Sequence, residues 1–262
     1  MGTFYLGIHH PDWLERVTVP CFVSHRRLRD RMSLPRSRAP WCLDSGGFTQ
    51  LDQQGRWEET PRAYAKAVRR YFECIGNLQW AAVQDWMCEP KIQTKTGHGI
   101  TVHQMLTVQS YMDLMDADPD LPWAPVLQGL HIHHYLNHLE LYERRGLDVR
   151  EAPACGVGSI CTRQATTESV EILRVLRDEA GVYNLHGFGF KMQGVKEARC
   201  YLNSADSMAW SWNGRQEGLQ NSLPAALAWR KRLLEKTGWI DWNDQDDTIR
   251  TLQMPPTLLE TA

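Results

Sequence analysis

Three aspartates stand at the ends of short apolar runs that have the character of buried strands: Asp44, Asp85 and Asp206. One such aspartate often only caps the next helix, but three in one parallel-stranded fold would converge at a single edge. A carboxylate can attack a sugar carbon as a covalent nucleophile, and a second can move a proton to or from the leaving base. The set permits glycosyl transfer as well as glycoside hydrolysis.

The residues around these acids suit a flat ligand. Asp44 is followed by Ser45-Gly46-Gly47-Phe48, where glycines let a ligand approach the backbone and the ring can stack on it. Gln128-Gly129 ends another apolar run, and an amide beside a carboxylate can read the edge of a purine. Two further runs end in Gly156-Val157-Gly158-Ser159 and His186-Gly187-Phe188-Gly189. None has the full GxGxxG form of a dinucleotide site.

The elements that must position these groups alternate between short apolar runs and longer helical patterns, which favours an α/β fold. The predicted strands are 4–8, 18–23, 41–44, 80–84, 124–127, 154–158, 183–188 and 200–205. The predicted helices are 102–115, 135–145, 167–179, 224–236 and one that begins at Thr60-Pro61. With 262 residues, close to the roughly 250 of a (β/α)8 TIM barrel, we expect that fold. An open doubly wound sheet is the alternative.

Composition narrows the class of protein. We expect one barrel domain over residues 1–240 and a C-terminal extension over 241–262, because the sequence there becomes acidic and then proline-rich. No apolar run approaches the roughly 20 residues of a membrane span, and the N-terminus lacks the pattern of a signal peptide. Seven scattered cysteines fit a reducing compartment, so we expect a cytoplasmic protein without membrane contact.

The net charge of −2 provides no global field for nucleic acid, but the positive charge is clustered. Six arginines lie within thirteen residues just upstream of Asp44: Arg26, Arg27, Arg29, Arg31, Arg36 and Arg38. A solvated loop is the ordinary interpretation of such a run. The position of this run beside the predicted site favours binding of nucleic-acid phosphates by its arginines.

Taken together, these segments resemble the tRNA-guanine transglycosylases, in which Asp-Ser-Gly-Gly is followed by an aromatic residue. Six short motifs occur in the same order, from Asp44-Ser45-Gly46-Gly47-Phe48 to Ala205-Asp206-Ser207, and the resemblance covers roughly residues 40–218. That family is a (β/α)8 barrel. It exchanges guanine for a 7-deazaguanine through a covalent sugar–aspartate intermediate.

The resemblance implies a role for each matching residue. Asp206 would attack C1′ of the sugar, Asp44 would transfer the proton, and Phe48 would stack on the base. Asp85, Gln128 and the backbone of Gly158 would bind the base edges. His186 stands where the family often has an apolar residue that covers the other face of the base. The remaining residues of the implied pocket are Ser45, Gly46, Gly47, Gly129, Ser159 and Gly187.

The departures from that family point to DNA. The tRNA enzymes carry a cysteine-rich zinc site after the nucleophile, whereas this chain has no cysteine after Cys200 and no histidine after His186. A compact barrel without that region resembles the phage and bacterial DNA deazaguanine transglycosylases. The resemblance implies DNA as partner, no metal, no cofactor, and the host cytoplasm if the chain is phage-encoded. A tRNA substrate is the alternative, and a homodimer is possible because family members often dimerise.

Three details extend this hypothesis. Arg163 aligns near a glutamate that in bacterial members suits an aminomethyl base, so a neutral base such as 7-cyano-7-deazaguanine is expected. Trp210 and Trp212 can stack on neighbouring bases, with core or lid packing as the alternative. The group His131, His133, His134 and His138 suggests a metal site, but surface helix histidines are the favoured interpretation.

Two rival functions stay open. The same site can act on tRNA, or with water on a nucleoside as a hydrolase. A noncatalytic subunit that supports another chain is the third possibility, and the presence of both Asp44 and Asp206 argues against it.

Overall fold

The computed structural model describes residues 2–241 apart from 162, 164 and 212–221. Its single sheet has nine parallel strand segments: β1 (Thr3–Ile8), β2 (Cys21–Ser24), β3 (Trp41–Asp44), β4 (Leu78–Ala82), β5 (Trp123–Ala124), β6 (Val126–Leu127), β7 (Cys155–Val157), β8 (Leu185–Gly187) and β9 (Ser204–Ser207). Their order in the sheet is β5-β4-β3-β2-β1-β9-β8-β7-β6. The two outermost segments, β5 and β6, are consecutive in the chain and separated only by Pro125.

Pro125 breaks a strand that otherwise closes the sheet. Proline lacks the N–H that a ladder needs, so one strand is split into β5, which pairs with β4, and β6, which pairs with β7. The nine segments therefore occupy eight strand positions around a barrel. The expected (β/α)8 barrel is confirmed.

Helices surround the barrel: α1 (Gly47–Gln54), α2 (Pro61–Ile75), α3 (Pro90–Thr96), α4 (Ile100–Ala117), α5 (Ile132–Glu143), α6 (Thr167–Arg174), α7 (Met192–Ala198) and α8 (Leu223–Thr237). Helix α2 begins as predicted, with Thr60 accepting a hydrogen bond from the N–H of Ala63 at 3.3 Å and Pro61 in the first turn. Helix α6 continues into a π-helical turn at Val175–Glu179.

The sequence did not predict α1, α3 and α7. Each has only seven or eight residues, too few to display a clear helical period. Four strands also begin later than predicted: β7 by one residue, β8 by two, β2 by three and β9 by four. Strand β2 starts after Pro20, and β9 starts after a turn in which Tyr201 N donates to Ala198 O.

The core lies on both sides of the strands, as a parallel barrel requires. In β1, Phe4, Leu6 and Ile8 pack in the layer between strands and helices, while Tyr5 points into the barrel. The barrel interior is filled by Tyr5, Phe22, Cys42, Trp80, Ala82, Ala124 and Ala154. Because side chains alternate along a strand, Asp44 points to the same inward side as Cys42 and lies at the carboxyl end of the barrel interior.

The amino end of the barrel is closed by a buried ion pair. Asp241, the first residue of the predicted extension, accepts a 2.5 Å bond from Arg230 and a 2.9 Å bond from the backbone N–H of Phe4. Trp239 adds a bond from Nε1 to the carbonyl of Gly2. Within the described residues, no helix has both the length and the apolar character that crossing a bilayer needs.

Candidate active site

A cavity of about 380 Å³ opens at the carboxyl ends of the strands, within the range typical of small-molecule sites. All three strand-end aspartates line it: Asp44, Asp85 and Asp206. Phe48 and Gln128 also line the cavity, so the structure brings together the predicted acids, the predicted amide and the predicted stacking ring. Phe48 is half exposed at the start of α1, where a bound base can reach its face.

Asp206 on β9 is held by two donors at one oxygen. The backbone N–H of Gly189 donates to Oδ1 at 2.8 Å, and Nε2 of His186 lies 3.3 Å from the same atom. Nδ1 of His186 lies 2.9 Å from the hydroxyl of Ser204, which can donate to it and so leave the ring proton on Nε2. The carboxylate is almost fully buried, and its contacts with His186 and Gly189 fix its orientation.

His186 does not line the cavity. Its ring is fully buried beneath the floor, with its centroid 5.4 Å from that of Phe22 and 4.7 Å from that of Trp80. Phe188, two residues further on, lines the cavity instead. The structure therefore places His186 against Asp206 rather than against a base, which differs from the stacking role that the resemblance implied.

Asp44 sits partly buried at the end of β3. Burial raises the pKa of Asp44, hydrogen bonds from Ser24 and the N–H of Gly46 oppose that rise, and the charge of Asp206 adds to it. Gly46 is left-handed, with φ 82°, and a Cβ there would lie 2.8 Å from Cγ of Arg26. Glycine is therefore required at this turn. A carboxyl with a raised pKa can carry a proton for transfer.

Asp85 lies close enough to Asp44 in the cavity lining for the two carboxyls to interact. Burial, together with the nearby charge of Asp44, raises the pKa of Asp85 to about 7. Nε2 of Gln128 donates to Oδ2 of Asp85, and Ser45 Oγ donates to Oδ1 at 3.4 Å. A carboxylate beside an amide presents acceptors next to a donor. That pattern matches the N1–H, N2–H and O6 groups of guanine.

The backbone around Gln128 holds that amide in place. Its N–H donates to Nδ1 of His138 at 2.8 Å, and Nε2 of Gln104 donates to its carbonyl at 2.7 Å. A Cβ on Gly158 would lie only 2.1 Å from Nε2 of Gln128, so the amide can lie here only against glycine. Burial lowers the pKa of His138 to about 3, which keeps the ring neutral and able to accept.

The histidine group is only partly a set of surface helix histidines: His131 is exposed, whereas His138 is fully buried and accepts the N–H of Gln128. His131 pairs with Glu168 at 2.6 Å, and His134 accepts the backbone N–H of His131 at 3.1 Å. Across the described part of the chain, no three histidine, cysteine, aspartate or glutamate residues cluster as metal ligands would.

Four predicted pocket residues do not line the cavity but lie against residues next to its lining. Ser45 bonds Asp85, Gly47 makes room for Trp57, Gly129 packs on His134, and Gly187 packs on Phe190. Arg163 does not line the cavity either, and its Nε donates to the carbonyl of Ser159 at 3.2 Å.

Sequence reasoning missed several cavity residues, among them Glu89, His9 and Phe188. Glu89 precedes Pro90 at the start of α3, where it has the character of an ordinary N-cap. His9 follows β1, and its position just after a strand is the sequence feature that could have identified it as a cavity residue. Ser159, which was predicted, has a left-handed backbone with φ 55°, a strained conformation that functional sites favour.

The arginine cluster divides into two groups. Arg26 and Arg27 line the cavity mouth, where Nη2 of Arg27 lies 3.5 Å from Nδ1 of His9. The others do not line the cavity. Arg29 pairs with Asp30 and Arg31 with Asp12, while the segment with Arg36 and Arg38 returns to the amino end of the barrel, where Ser37 N donates to Ile75 O.

Trp210 is a core residue. It is buried, donates from Nε1 to the carbonyl of Gly7 at 2.8 Å and packs against Trp13. The core alternative therefore holds for Trp210. Trp212 lies outside the described residues.

No curated protein matches this chain. A family model described as "DpdA: DeoxyPurine in DNA protein A" matches residues 1–252, a span that includes every described strand and every cavity residue named above. The match confirms the family resemblance predicted from the six motifs. The chain therefore belongs to the DpdA family, DeoxyPurine in DNA protein A.

Proposed function

We propose that this protein is a DNA guanine transglycosylase, which exchanges guanine in DNA for a 7-deazaguanine. Membership of the DpdA family supports DNA modification by a transglycosylase-type enzyme. The observation that carries the proposal is the cavity in which Asp206 and Asp44 face a guanine-reading pair, Asp85 and Gln128.

The first half of the reaction breaks the glycosidic bond. Within the described part of the chain, both hydrogen bonds to the Asp206 carboxylate end on Oδ1, and we assign Oδ2 to the attack on C1′ of the sugar. The C1′–O bond forms as the C1′–N9 bond breaks, and the electron pair of that bond goes to the departing guanine. Asp44, whose pKa is raised by burial, donates the proton that neutralises guanine.

The second half reverses this sequence with another base. The 7-deazaguanine loses its N9 proton to the Asp44 carboxylate, and N9 then attacks C1′. The bond between C1′ and Asp206 breaks, which returns Asp206 as a carboxylate and Asp44 as an acid. Every proton and electron pair is accounted for, and the cycle ends where it began.

A base inside a duplex must be flipped out before C1′ can be reached. Arg26 and Arg27 at the mouth, with His9 beside them, can bind the phosphates that flank the flipped nucleotide. The expectation of 7-cyano-7-deazaguanine stays a prediction. Arg163, the cation on which that expectation depends, does not line the cavity, and its Nε donates to the carbonyl of Ser159.

The test is base exchange by purified protein on duplex DNA, single-stranded DNA and tRNA, each with a 7-deazaguanine, followed by mass spectrometry of the nucleosides. We expect the deaza-nucleoside in DNA, and its loss in Asp206→Asn but not in the surface control Asp148→Asn. Product in tRNA alone would mean that tRNA, and not DNA, is the substrate. Release of guanine without incorporation would identify a hydrolase, and product from Asp206→Asn at the wild-type rate would reject the nucleophile.

A further inference from the structure

We infer that His25, paired with Glu59, is a positioning residue that holds the arginines at the cavity mouth and the proton-transfer carboxyl of Asp44 in one arrangement. Neither His25 nor Glu59 lines the cavity, so both act through residues that do. The inference rests on the proposed function. It identifies the element on which DNA binding and proton transfer both depend.

The turn that follows β2, residues 24–27, supports both functional groups at once. Ser24 pairs in register with Asp44 across the sheet and donates a hydrogen bond to the Asp44 carboxyl. The next three residues form one 3₁₀ turn, His25–Arg27, which carries Arg26 and Arg27 to the cavity mouth. The proposed acid and the two arginines therefore depend on the placement of the same few residues.

The turns that follow β2 and β3 fit together with no space for a side chain between them. A Cβ on Gly46 would lie 2.8 Å from Cγ of Arg26 and 3.3 Å from Oγ of Ser24. The aliphatic stem of Arg26 thus lies against the turn that follows Asp44. Because close-packed groups transmit displacements to one another, a shift of Arg26 would also shift the surroundings of Asp44.

His25 anchors the 24–27 turn in the protein interior. The residue is almost fully buried, its Nε2 donates to Oε2 of Glu59 at 2.8 Å, and its Nδ1 lies 3.1 Å from the hydroxyl of Tyr71. The ring centroid lies 5.0 Å from that of Tyr64 in an edge-to-face contact. Contacts at both nitrogens and with a neighbouring ring leave the imidazole a single orientation.

Glu59 connects this anchor to the end of β4. Its carbonyl accepts a hydrogen bond at 2.9 Å from Nε2 of Gln84, the residue directly before Asp85. The side chain of Glu59 is 31% exposed, and a pair of this kind adds little net stability because the loss of hydration offsets the attraction. Its directed hydrogen bond instead determines where the 24–27 turn lies.

The test measures DNA affinity and base exchange for Glu59→Gln, which keeps the shape of the side chain and removes its charge. We expect kcat to fall about 10-fold and the slope of log DNA affinity against log salt to fall by about 1, with KM for the free base unchanged. A smaller fraction of folded protein would lower kcat but leave the salt slope unaltered. The matched control is Glu168→Gln in the exposed His131–Glu168 pair, which should change none of these quantities.

Two substitutions of His25 distinguish positioning from the filling of space. His25→Leu fills the site without a hydrogen-bonding group and should lower kcat and the salt slope. His25→Gln can still donate to Glu59 and should retain more of both. Urea unfolding of each variant verifies the fold. Equal losses in folded His25→Leu and His25→Gln would overturn the inference, because the directed hydrogen bond would then have no role.

DNA binding separates this inference from the proposed function, because the salt slope is measured without exchange. A lower slope in Glu59→Gln supports the anchor even if no 7-deazaguanine enters DNA. With an active wild type, a fall in only one of the two quantities would overturn the shared support. Unchanged values of both in Glu59→Gln would overturn the inference as a whole while leaving base exchange intact.

Discussion

Nε2 of His186 lies 3.3 Å from Oδ1 of Asp206, and the imidazole ring is fully buried beneath the floor of the cavity. The ring therefore contacts the carboxylate and does not line the cavity. With Ser204 able to donate to Nδ1, the Nε2 proton is directed at the proposed nucleophile.

Replacing His186 should slow the chemical steps more than it weakens base binding. His186→Leu removes the donor to Oδ1, which leaves Asp206 less well oriented and less stabilised as the leaving carboxylate of the second step. We expect kcat to fall about 10-fold or more with little change in KM for the base, and His186→Gln, which keeps a donor, to retain more activity. Steady-state exchange kinetics measure both. A rise in KM at constant kcat would instead return His186 to base binding.

The pKa of Asp85 predicts how base binding depends on pH. Because that pKa is about 7, protonation below this value converts the Asp85 oxygen that accepts from the donor edge of the base into an O–H donor. Affinity for a 7-deazaguanine should therefore fall as pH is lowered from 8 to 6. Fluorescence or calorimetric titration across that range measures it. Asp85→Asn should bind weakly at every pH, and a variant that kept the wild-type pH profile would contradict the assignment.

The same group predicts a stability effect of opposite sign. The folded pKa of Asp85 lies above the unfolded value of 3.8, so the folded state binds its proton more tightly and loses stability as pH rises toward 7. Asp85→Asn removes that loss. Its free energy of unfolding should exceed the wild-type value at pH 8 by a margin about 2 kcal/mol larger than at pH 5. Urea denaturation at both pH values provides the comparison, and a margin that does not grow with pH would refute the cause.

The division of the arginine cluster predicts which arginines bind DNA. Arg27 lies at the cavity mouth, whereas Arg36 lies beside Gly76 at the amino end of the barrel. Arg27→Gln should weaken DNA binding on all sequences and reduce the slope of log affinity against log salt by about 1. Arg36→Gln, the matched control, should change neither quantity. Filter binding over a salt series measures both, and equal effects would mean that the whole cluster contacts DNA.

The ion pair at the amino end predicts a stability contribution far from the site. Asp241→Ala would deprive the buried Arg230 of this carboxylate and Phe4 N of its acceptor, and breaking such a pair costs about 3–5 kcal/mol. Glu140→Ala breaks an exposed pair with Arg144 and should cost less than about 1 kcal/mol. Equal midpoints of urea unfolding for the two variants would show that Asp241 adds nothing to the fold.

Short-range sequence patterns predicted most strands, the longer helices and the chemical groups at the strand ends, but not the short helices α1, α3 and α7. Strand β3 has the predicted bounds because its apolar run ends at an acid and two glycines, and α2 begins where Thr60 and Pro61 predict. The period of two along a strand already directs Asp44 to the barrel interior once Cys42 is placed there. These are short-range effects, which neighbouring residues decide among themselves.

Tertiary packing determines which of these groups come into contact. Ser159 contacts Glu89 across 70 positions of the chain, because closure of the barrel brings the segment after β7 close to the segment after β4. His186 reaches Asp206 across 20 positions, because β8 and β9 pair side by side. Tertiary packing also places Trp210 in the core and leaves Arg27, but not Arg36, in the lining of the cavity. No local pattern encodes these arrangements, since they join residues that lie far apart in the chain.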